Sequence, residues 1–236
     1  MKILGFIPCR SNSKGVPNKG LINFGKKSLV ALTVQNALNS KNINKVVFSS
    51  DGQNLINEAV NAGAEAPFLR PDDLARDNSS TWDVLRHCIS FLKLKESYIP
   101  DIVVILQPTT PFRTSEIVDK CIDKLILDKL NACITITEVD YPPQWMYKKN
   151  NKNHLINYIE KGIWPSRRQD AEKVYKPNGM IYAFKLNCLQ NKLPIPTSKM
   201  GYVFVNRDIS INIDEAIDVK LAKLTWSELY DKKKTF

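Results

Sequence analysis

Residues 2–21 read KILGFIPCRSNSKGVPNKGL, an apolar run that breaks abruptly into a polar and cationic turn. The run is short and rich in isoleucine, leucine and phenylalanine, which is typical of a buried strand in a parallel sheet. Arg10, Lys14 and Lys19 follow this strand closely. Because neighbouring like charges repel one another, the turn predicts an anionic ligand at the end of the strand.

Apolar segments of this kind alternate along the chain with longer segments of helical period. The predicted strands are residues 2–8, 45–50, 64–69 (AEAPFL), 101–107, 132–139, 179–185 and 201–206. Helices are predicted to begin at the caps Ser28, Ser79 or Ser80, and Thr114, and a last helix is predicted from Asp214 to Tyr230. The alternation predicts an α/β domain with a mainly parallel sheet.

The chain is expected to form a single domain over residues 1–236, because its length suits one large core and it has no internal repeat or low-complexity linker. The alternation fails over residues 139–176, which contain prolines and the aromatic residues Trp145, Tyr147 and Trp164. We expect this segment to be an insertion that projects from the sheet and meets a partner chain.

The composition limits the classes of function. A formal net charge of +10 suits an anionic partner, which could be nucleic acid, an anionic membrane or a phosphorylated small molecule. Many of the lysines lie in 147–154 and 230–236, and such lysine- and asparagine-rich stretches are more often simply solvated surface. No apolar stretch is long enough to span a membrane, and the first one is too short for a secretory signal, so a cytoplasmic protein is expected.

The cysteines and histidines give little support to metal or nucleophile chemistry. The five cysteines lie far apart, mostly in apolar segments, and are expected to be free and structural: Cys9, Cys88, Cys121, Cys133 and Cys188. The two histidines, His87 and His154, make a Cys/His zinc site and a histidine-centred triad improbable.

Polar clusters follow four of the predicted strands, at 9–20, 49–52, 107–114 and 212–214. In an open parallel sheet, ligands bind beyond the carboxyl ends of the strands, so these clusters should converge on one rim. Ser11, Ser13 and Gly15 permit a loop whose backbone N–H groups face a phosphate. The loop is neither a Walker A motif nor G-x-G-x-x-G, and an ordinary basic surface turn explains it about as well.

Two further groups are candidate ligands. Asn212 and Asp214 are two residues apart, so on an extended segment their oxygens face the same side and could share a hard cation. Asp214 could also cap a helix, either instead of this role or in addition to it. Asp51 could be a turn residue, a metal ligand or a ribose contact.

Arg167, Arg168 and Lys176 could form a second anion site that suits a carboxylate. Alternatively, these cations merely decorate the surface of the insertion. A second anion site would imply a second anionic substrate.

Six motifs, in order and spacing, make the chain resemble the acylneuraminate cytidylyltransferase family, which includes CMP-sialic acid synthetases and their bacterial nonulosonate relatives. The motifs span nearly the whole chain: IPCRSNSKGVPNKGL, SSDG, LARDNSSTWDVL, LQPTTPFRT, RRQ…YKPNGMIY and INIDEAIDVKLAK. The resemblance implies a doubly wound fold like that of nucleotide-diphospho-sugar transferases, with the insertion serving dimerisation. It also implies transfer of CMP from CTP to a nonulosonic acid with Mg²⁺, release of pyrophosphate and a role in cell-surface glycan biosynthesis.

The resemblance also assigns roles to residues. Arg10, Lys14, Lys19 and Asp214 would be catalytic, and Asn212 and Asp214 would hold the metal. The nucleotide would contact Arg10, Ser11, Ser13, Lys14, Gly15, Lys19, Asp51, Ser80 and Thr81. The sugar acid would contact Gln107, Arg168, Gln169, Asn178 and Tyr182, with part of this wall supplied by the neighbouring subunit.

The chain departs from the family pattern at two positions. Gly20 replaces an asparagine associated with reading the base, which leaves the preference for CTP open. Asn212 replaces the first aspartate of an Asp-x-Asp motif, which keeps an oxygen ligand but removes one negative charge.

Several alternatives therefore stay open at this stage. They are transfer from another nucleotide or to a sugar phosphate, a nucleic-acid-binding module, and a non-catalytic relative. The general base is also open, between metal-bound water, Asp214 and the substrate itself.

Overall fold

A computed structural model describes residues 1–11, 15–160, 162, 164–189 and 198–231. Ser13 and Lys14 lie outside the described residues. The strands are β1 (Ile3–Pro8), β2 (Asn23–Phe24), β3 (Lys27–Ser28), β4 (Lys45–Ser49), β5 (Ile102–Ile105), β6 (Ala132–Glu138), β7 (Tyr147–Lys149), β8 (Leu155–Asn157), β9 (Tyr175–Lys185) and β10 (Met200–Phe204). The helices are α1 (Leu29–Leu38), α2 (Gln53–Asn61), α3 (Thr81–Glu96), α4 (Ser115–Leu127) and α5 (Ala216–Trp226).

Within the described residues, six strands form one sheet in the order β10-β6-β9-β5-β1-β4. Strand β1 pairs in parallel with both β4 and β5, and β6 pairs in parallel with β10. Strand β9 runs antiparallel to its neighbours β5 and β6. The predicted mainly parallel sheet is therefore confirmed.

Helices cover both faces of the sheet, as the doubly wound architecture requires. Alternate residues of β1 point to opposite sides, so Ile3 and Ile7 pack with α1, α2, α4 and α5, whereas Leu4 and Phe6 pack with α3. Both groups of side chains are almost completely buried. The carboxyl ends of β1, β4 and β5 consequently open on one edge between two layers of helices.

The predicted helix starts are confirmed by side-chain caps. The hydroxyls of Ser28, Ser80 and Thr114 each accept a hydrogen bond from a backbone N–H in the first turn of α1, α3 and α4. Such a bond satisfies one of the N–H groups that a helix start leaves without a partner. The hydroxyl of Ser80 also donates to Asp83 at 2.6 Å.

Two local predictions are wrong. Residues 64–69 do not form a strand: Glu65 alone makes a bridge to Val47, because Pro67 has no N–H to continue a ladder. Asp214 is not the cap of α5, because Glu215 takes that position in a capping box with Asp218. This leaves the Asp214 side chain available to the rim of the sheet.

The segment predicted to project carries the short hairpin β7–β8, which pairs apart from the central sheet. Every residue of both hairpin strands is exposed, including Tyr147, Leu155 and Ile156. Among the described residues, no helix is both long and apolar enough to cross a membrane.

Candidate active site

The polar clusters that follow the strands do meet at one edge of the sheet. Within the described residues, two adjoining cavities lie there, and both are lined by Gln107 and Asp214. Gln107 follows β5, and Asp214 precedes α5. The two residues therefore mark a junction at which ligands in the two cavities could react with each other.

The first cavity, of about 330 Å³, lies beyond β1 and is strongly basic. Four of its lining residues are cationic: Arg10, Lys19, Arg70 and Arg76. Thr81 and Ser79 also line it, whereas Ser80 does not appear on its wall and uses its hydroxyl as the cap of α3. A cavity of this size with several cations suits a ligand that carries more than one phosphate.

The cationic loop packs directly on the segment that carries Asp214. Lys19 Nζ donates to the carbonyl of Ile213 at 2.6 Å and lies 3.5 Å from Asp214 Oδ1. A Cβ atom on Gly15 would lie 2.0 Å from the Asp214 carbonyl oxygen, closer than any real contact. Glycine at position 15 thus allows the loop and the carboxylate to share one site.

Asp51 organises the start of this loop. Its carboxylate accepts a hydrogen bond from the backbone N–H of Ser11 at 2.8 Å and another from the Ser11 hydroxyl. Burial alone would raise the pKa of Asp51, but these hydrogen bonds lower it below its ordinary value. In the described residues, Asp51 holds Ser11 and does not line either cavity, so its contact with a nucleotide stays a prediction.

Arg70 is a cation of the first cavity that the sequence patterns did not single out. It is buried, and its guanidinium donates to the carbonyl of Cys9 at 3.2 Å, to the carbonyl of Ser49 and to the Ser49 hydroxyl. Burial lowers the pKa of Arg70, and the nearby Asp51 carboxylate counteracts part of this effect. Arg70 thus ties together the ends of β1 and β4 below the cavity.

The environment of Gly20 gives a physical reason for the missing asparagine. Gly20 is buried and lines the first cavity. A Cβ at this position would lie 2.8 Å from Leu55 Cδ2, 2.9 Å from Cys9 Sγ and 3.0 Å from Val30 Cγ2. The space that a larger side chain needs is already filled, so an asparagine could be accommodated only if these neighbours moved.

Asn212 and Asp214 offer oxygen atoms that fit a hard divalent cation. Asn212 Nδ2 donates to Asp214 Oδ2 at 2.6 Å, and Asn212 Oδ1 is buried without a hydrogen-bond partner among the described residues. A buried acceptor without a partner is costly unless something binds it. In the described part of the chain, no group of three or more acidic, histidine or cysteine side chains could hold a metal alone. Mg²⁺ commonly takes one or two protein oxygens and completes its shell with water and substrate phosphates.

Arg113 fixes the loop that carries Gln107. The guanidinium is fully buried and donates to the carbonyls of Gln107 and Met180, each at 2.9 Å, and to the hydroxyls of Thr110 and Thr33, each at 2.8 Å. Burial lowers the pKa of Arg113 to about 9, so it stays charged at neutral pH. This residue lies inside the LQPTTPFRT motif, but its role is to position Gln107.

The second cavity, of about 530 Å³, is lined by Tyr182 and Asn178 of the predicted sugar-binding set. Asn178 is buried, and its amide binds Thr135, the Met180 N–H and Ser210, so it shapes the wall. Burial raises the pKa of Tyr182 and keeps its phenol protonated. Lys176 also lines this cavity, together with Arg207, which no sequence pattern indicated.

Arg168 and Gln169 do not lie with these residues. They line a neighbouring cleft of about 360 Å³ at the base of the insertion, between 138–142 and 171–174, which shares Glu138 with the second cavity. Arg168 Nη2 is 3.5 Å from the carbonyl of Val139. Within a single chain, therefore, the predicted sugar-binding residues are divided between two places.

A basic cavity joined through a carboxylate and an amide to a second polar cavity suits the transfer of a phosphate-bearing group between two ligands. The sequence model of the cytidylyltransferase family matches residues 4–192. The chain therefore belongs to the cytidylyltransferase family and is a nucleotidyltransferase.

Relatives over the full length support this assignment. The chain is 31% identical to the pseudaminic acid cytidylyltransferase of Campylobacter jejuni over 96% of its own length and 97% of the relative. It is 30% identical to the CMP-N,N'-diacetyllegionaminic acid synthase of Legionella pneumophila, over 97% of its own length and 100% of the relative.

A solved structure supports the fold. The CMP:2-keto-3-deoxy-manno-octonic acid synthetase complexed with CTP superposes with a TM-score of 0.70, 17% identity and coverage of 97% of this chain and 99% of that chain.

Proposed function

We propose that this enzyme transfers CMP from CTP to the anomeric hydroxyl of a nonulosonic acid, such as a pseudaminic, legionaminic or sialic acid, and releases pyrophosphate. The observation that carries the proposal is the junction of the two cavities at Gln107 and Asp214. The names of the full-length relatives support the choice of CTP and of a sugar acid.

The first cavity would hold the triphosphate. Arg10 and Lys19 line it, and a planar guanidinium can bind two phosphate oxygens while the ammonium acts as a point charge. Arg10 is held by an ion pair with Asp77 at 2.7 Å. Ser13 and Lys14 are assigned to this phosphate-binding loop only by the family resemblance. Fixed cations of this kind stabilise the charge that moves to the leaving pyrophosphate.

Asn212 and Asp214 would hold Mg²⁺, with Asn212 Oδ1, which has no hydrogen-bond partner in the described part of the chain, and the Asp214 carboxylate as the protein ligands. A bound Mg²⁺ would neutralise phosphate charge and orient the α-phosphate. Lys19 lies beside Asp214 and would hold the phosphate-binding loop close to this carboxylate.

The second cavity would hold the acceptor. Gln107 and Tyr182 offer an amide and a protonated phenol for the polar groups of a sugar. During the reaction, the acceptor hydroxyl oxygen forms a bond to the α-phosphorus, while the bond between the α-phosphorus and its bridging oxygen to the β-phosphate breaks. Pyrophosphate leaves with that oxygen, and the hydroxyl proton passes to a base.

The enzyme is proposed to act as a homodimer through the segment 139–176. An isolated two-stranded hairpin is marginal in water, yet both strands of β7–β8 are exposed and carry Tyr147, Leu155 and Ile156. A second copy that covers this hairpin could also bring its Arg168 and Gln169 to the acceptor cavity. Sedimentation velocity should give a dimer for the native chain and a monomer for Ile156→Asp. A native monomer at micromolar concentration would contradict the dimer.

The proposed enzyme would act in the cytoplasm, where CTP is made. Its product would be used in cell-surface glycan biosynthesis. A second candidate is transfer from another nucleotide or to a sugar phosphate, and it is favoured by Gly20, which leaves no side chain to read the base from that position.

Pyrophosphate release should therefore be measured with each of the four nucleoside triphosphates against a panel of nonulosonic acids and sugar phosphates. Mass spectrometry would identify the product. A CMP-linked sugar acid supports the proposal, and turnover only with GTP and a sugar phosphate would overturn it.

A further inference from the structure

The second cavity contains a pair of cations that share one acidic partner. Lys176 Nζ lies 3.3 Å from Asp140 Oδ2, and Arg207 Nη2 pairs with Asp140 Oδ1. All three side chains line the cavity that also contains Gln107 and Asp214. Asp140 therefore uses its two carboxylate oxygens to bridge two cations inside a candidate substrate site.

These residues come from three different parts of the fold. Lys176 is near the start of β9, Arg207 begins a short 3₁₀ turn after β10, and Asp140 follows the end of β6. The side chains of Lys176 and Arg207 are 53% and 61% exposed, and that of Asp140 is 36% exposed. Exposed ion pairs contribute little to the stability of a fold. Stability alone is thus a weak reason to assemble these groups at this place.

The chemistry of this cluster matches a carboxylate ligand. An arginine fork and an ammonium that already hold one carboxylate have the geometry to hold another. Neutral groups for the rest of a sugar lie on the same wall: Tyr182, and the hydroxyl of Thr137, which is buried without a hydrogen-bond partner among the described residues. Arg168 lies in the neighbouring cleft and does not line this cavity.

We propose that Lys176 and Arg207 bind the carboxylate of the acceptor, and that Asp140 occupies their binding positions until the acceptor arrives. This inference rests on the proposed function, because it assigns the acidic group of the proposed sugar acid. The incoming carboxylate exchanges with Asp140, so Asp140 weakens binding, and it disfavours neutral sugars that cannot compete for the two cations. Arg207 and Lys176 therefore determine specificity for an acid.

Steady-state kinetics with CTP, Mg²⁺ and a nonulosonic acid should test this proposal, because removing a cation and removing Asp140 should change KM for the acceptor in opposite directions. Arg207→Gln and Lys176→Gln should each raise KM for the acceptor by about tenfold to a hundredfold, the range expected for a lost charge-assisted hydrogen bond, and leave KM for CTP unchanged. Asp140→Asn should lower KM for the acceptor, because the competing carboxylate is gone. Arg207→Lys should fall between the native enzyme and Arg207→Gln.

A substrate analogue distinguishes binding of the acceptor carboxylate by Arg207 from a purely structural role of Arg207 in the cavity wall. The carboxamide of the acceptor should bind the native enzyme poorly as a competitive inhibitor, and Arg207→Gln should reduce the difference between acid and amide. Lys124→Gln, which removes an exposed lysine paired with Asp128 on α4, controls for the loss of a surface charge and should leave both affinities unchanged.

The outcomes are distinguishable. If the native enzyme makes no CMP-linked product with any sugar acid, the proposed function fails and this inference fails with it. If the native enzyme is active but Arg207→Gln leaves KM for the acceptor unchanged, only this inference is overturned. It is also overturned if Asp140→Asn and Arg207→Gln both raise that KM, since the cluster would then be a structural support.

Discussion

Lys19 and Asp214 come from opposite ends of the chain, yet Lys19 Nζ lies 3.5 Å from Asp214 Oδ1 and donates to the carbonyl beside it. The contact joins the cationic loop after β1 to the segment before α5. It places the groups that would bind phosphate and metal on one wall of one cavity. The following predictions depend on this arrangement.

Asn212→Asp should lower the Mg²⁺ concentration needed for half-maximal rate by about threefold to tenfold, because affinity rises with the charge of the ligand set. The Asn212 amide lies beside the Asp214 carboxylate, and its oxygen has no hydrogen-bond partner among the described residues, so the change adds a negative charge next to Asp214. Calorimetric titration of Mg²⁺ into the CTP complex should show the same tightening without turnover.

Asn61→Asp adds the same charge at the exposed end of α2 and should leave the Mg²⁺ requirement unchanged. An unchanged or higher requirement in Asn212→Asp would show that residue 212 is not at the metal.

Gly15→Ala should reduce kcat/KM by about a hundredfold, a loss typical of a displacement of about 1 Å in a catalytic group. The added methyl would lie 2.0 Å from the Asp214 carbonyl oxygen, so the loop or the Asp214 segment must move. Circular dichroism should remain that of the native protein. Native kinetics in this variant would mean that the loop does not pack on Asp214.

Gly20→Asn should destabilise the protein by about 1–3 kcal/mol, the usual cost of inserting atoms into a packed site. The side chain would collide with Leu55 and Cys9. Leu55→Ala opens this space. The loss of unfolding free energy in the double variant should therefore be smaller than the sum of the losses in the two single variants. Urea denaturation measures all three variants, and strict additivity would contradict the packing around Gly20.

Asp51→Asn should reduce stability at neutral pH and matter less in acid. The pKa of Asp51 is lower in the folded protein than in the unfolded chain. The charged carboxylate therefore stabilises the fold at pH values above the ordinary pKa of about 4, and this stabilisation is lost as the pH falls through the pKa of the folded protein. Because Asp51 is partly exposed, solvent screening limits the effect to about 1 kcal/mol or less. Urea denaturation of both proteins at neutral and acidic pH measures the difference, and a difference that did not change with pH would argue against it.

Much of the fold follows from local sequence. Alternating apolar and helical segments predict the parallel sheet, and Ser28, Ser80 and Thr114 cap their helices through bonds that depend only on nearby residues. Residues 64–69 are the exception, because Pro67 has no N–H to continue the ladder and only Glu65 makes a bridge.

The site was predictable only in part, because contacts between distant segments decide the role of some of its residues. The strand-end rule brings together Arg10, Gln107 and Asp214, since parallel strands end on one edge. It cannot identify Arg70 or Arg207, whose importance depends on what packs around them. Arg70 directly follows the segment 64–69, which was predicted to be a strand. This position at a predicted strand end was the signal in the sequence that could have identified Arg70.

The most direct test is calorimetric titration of CTP into the native protein and into Asp214→Ala, each with and without Mg²⁺. We expect CTP to bind the native protein, Mg²⁺ to strengthen this binding, and Asp214→Ala to remove the strengthening while the cationic loop still binds the nucleotide. No heat with any nucleotide and metal, or an equal effect of Mg²⁺ on both proteins, would contradict it.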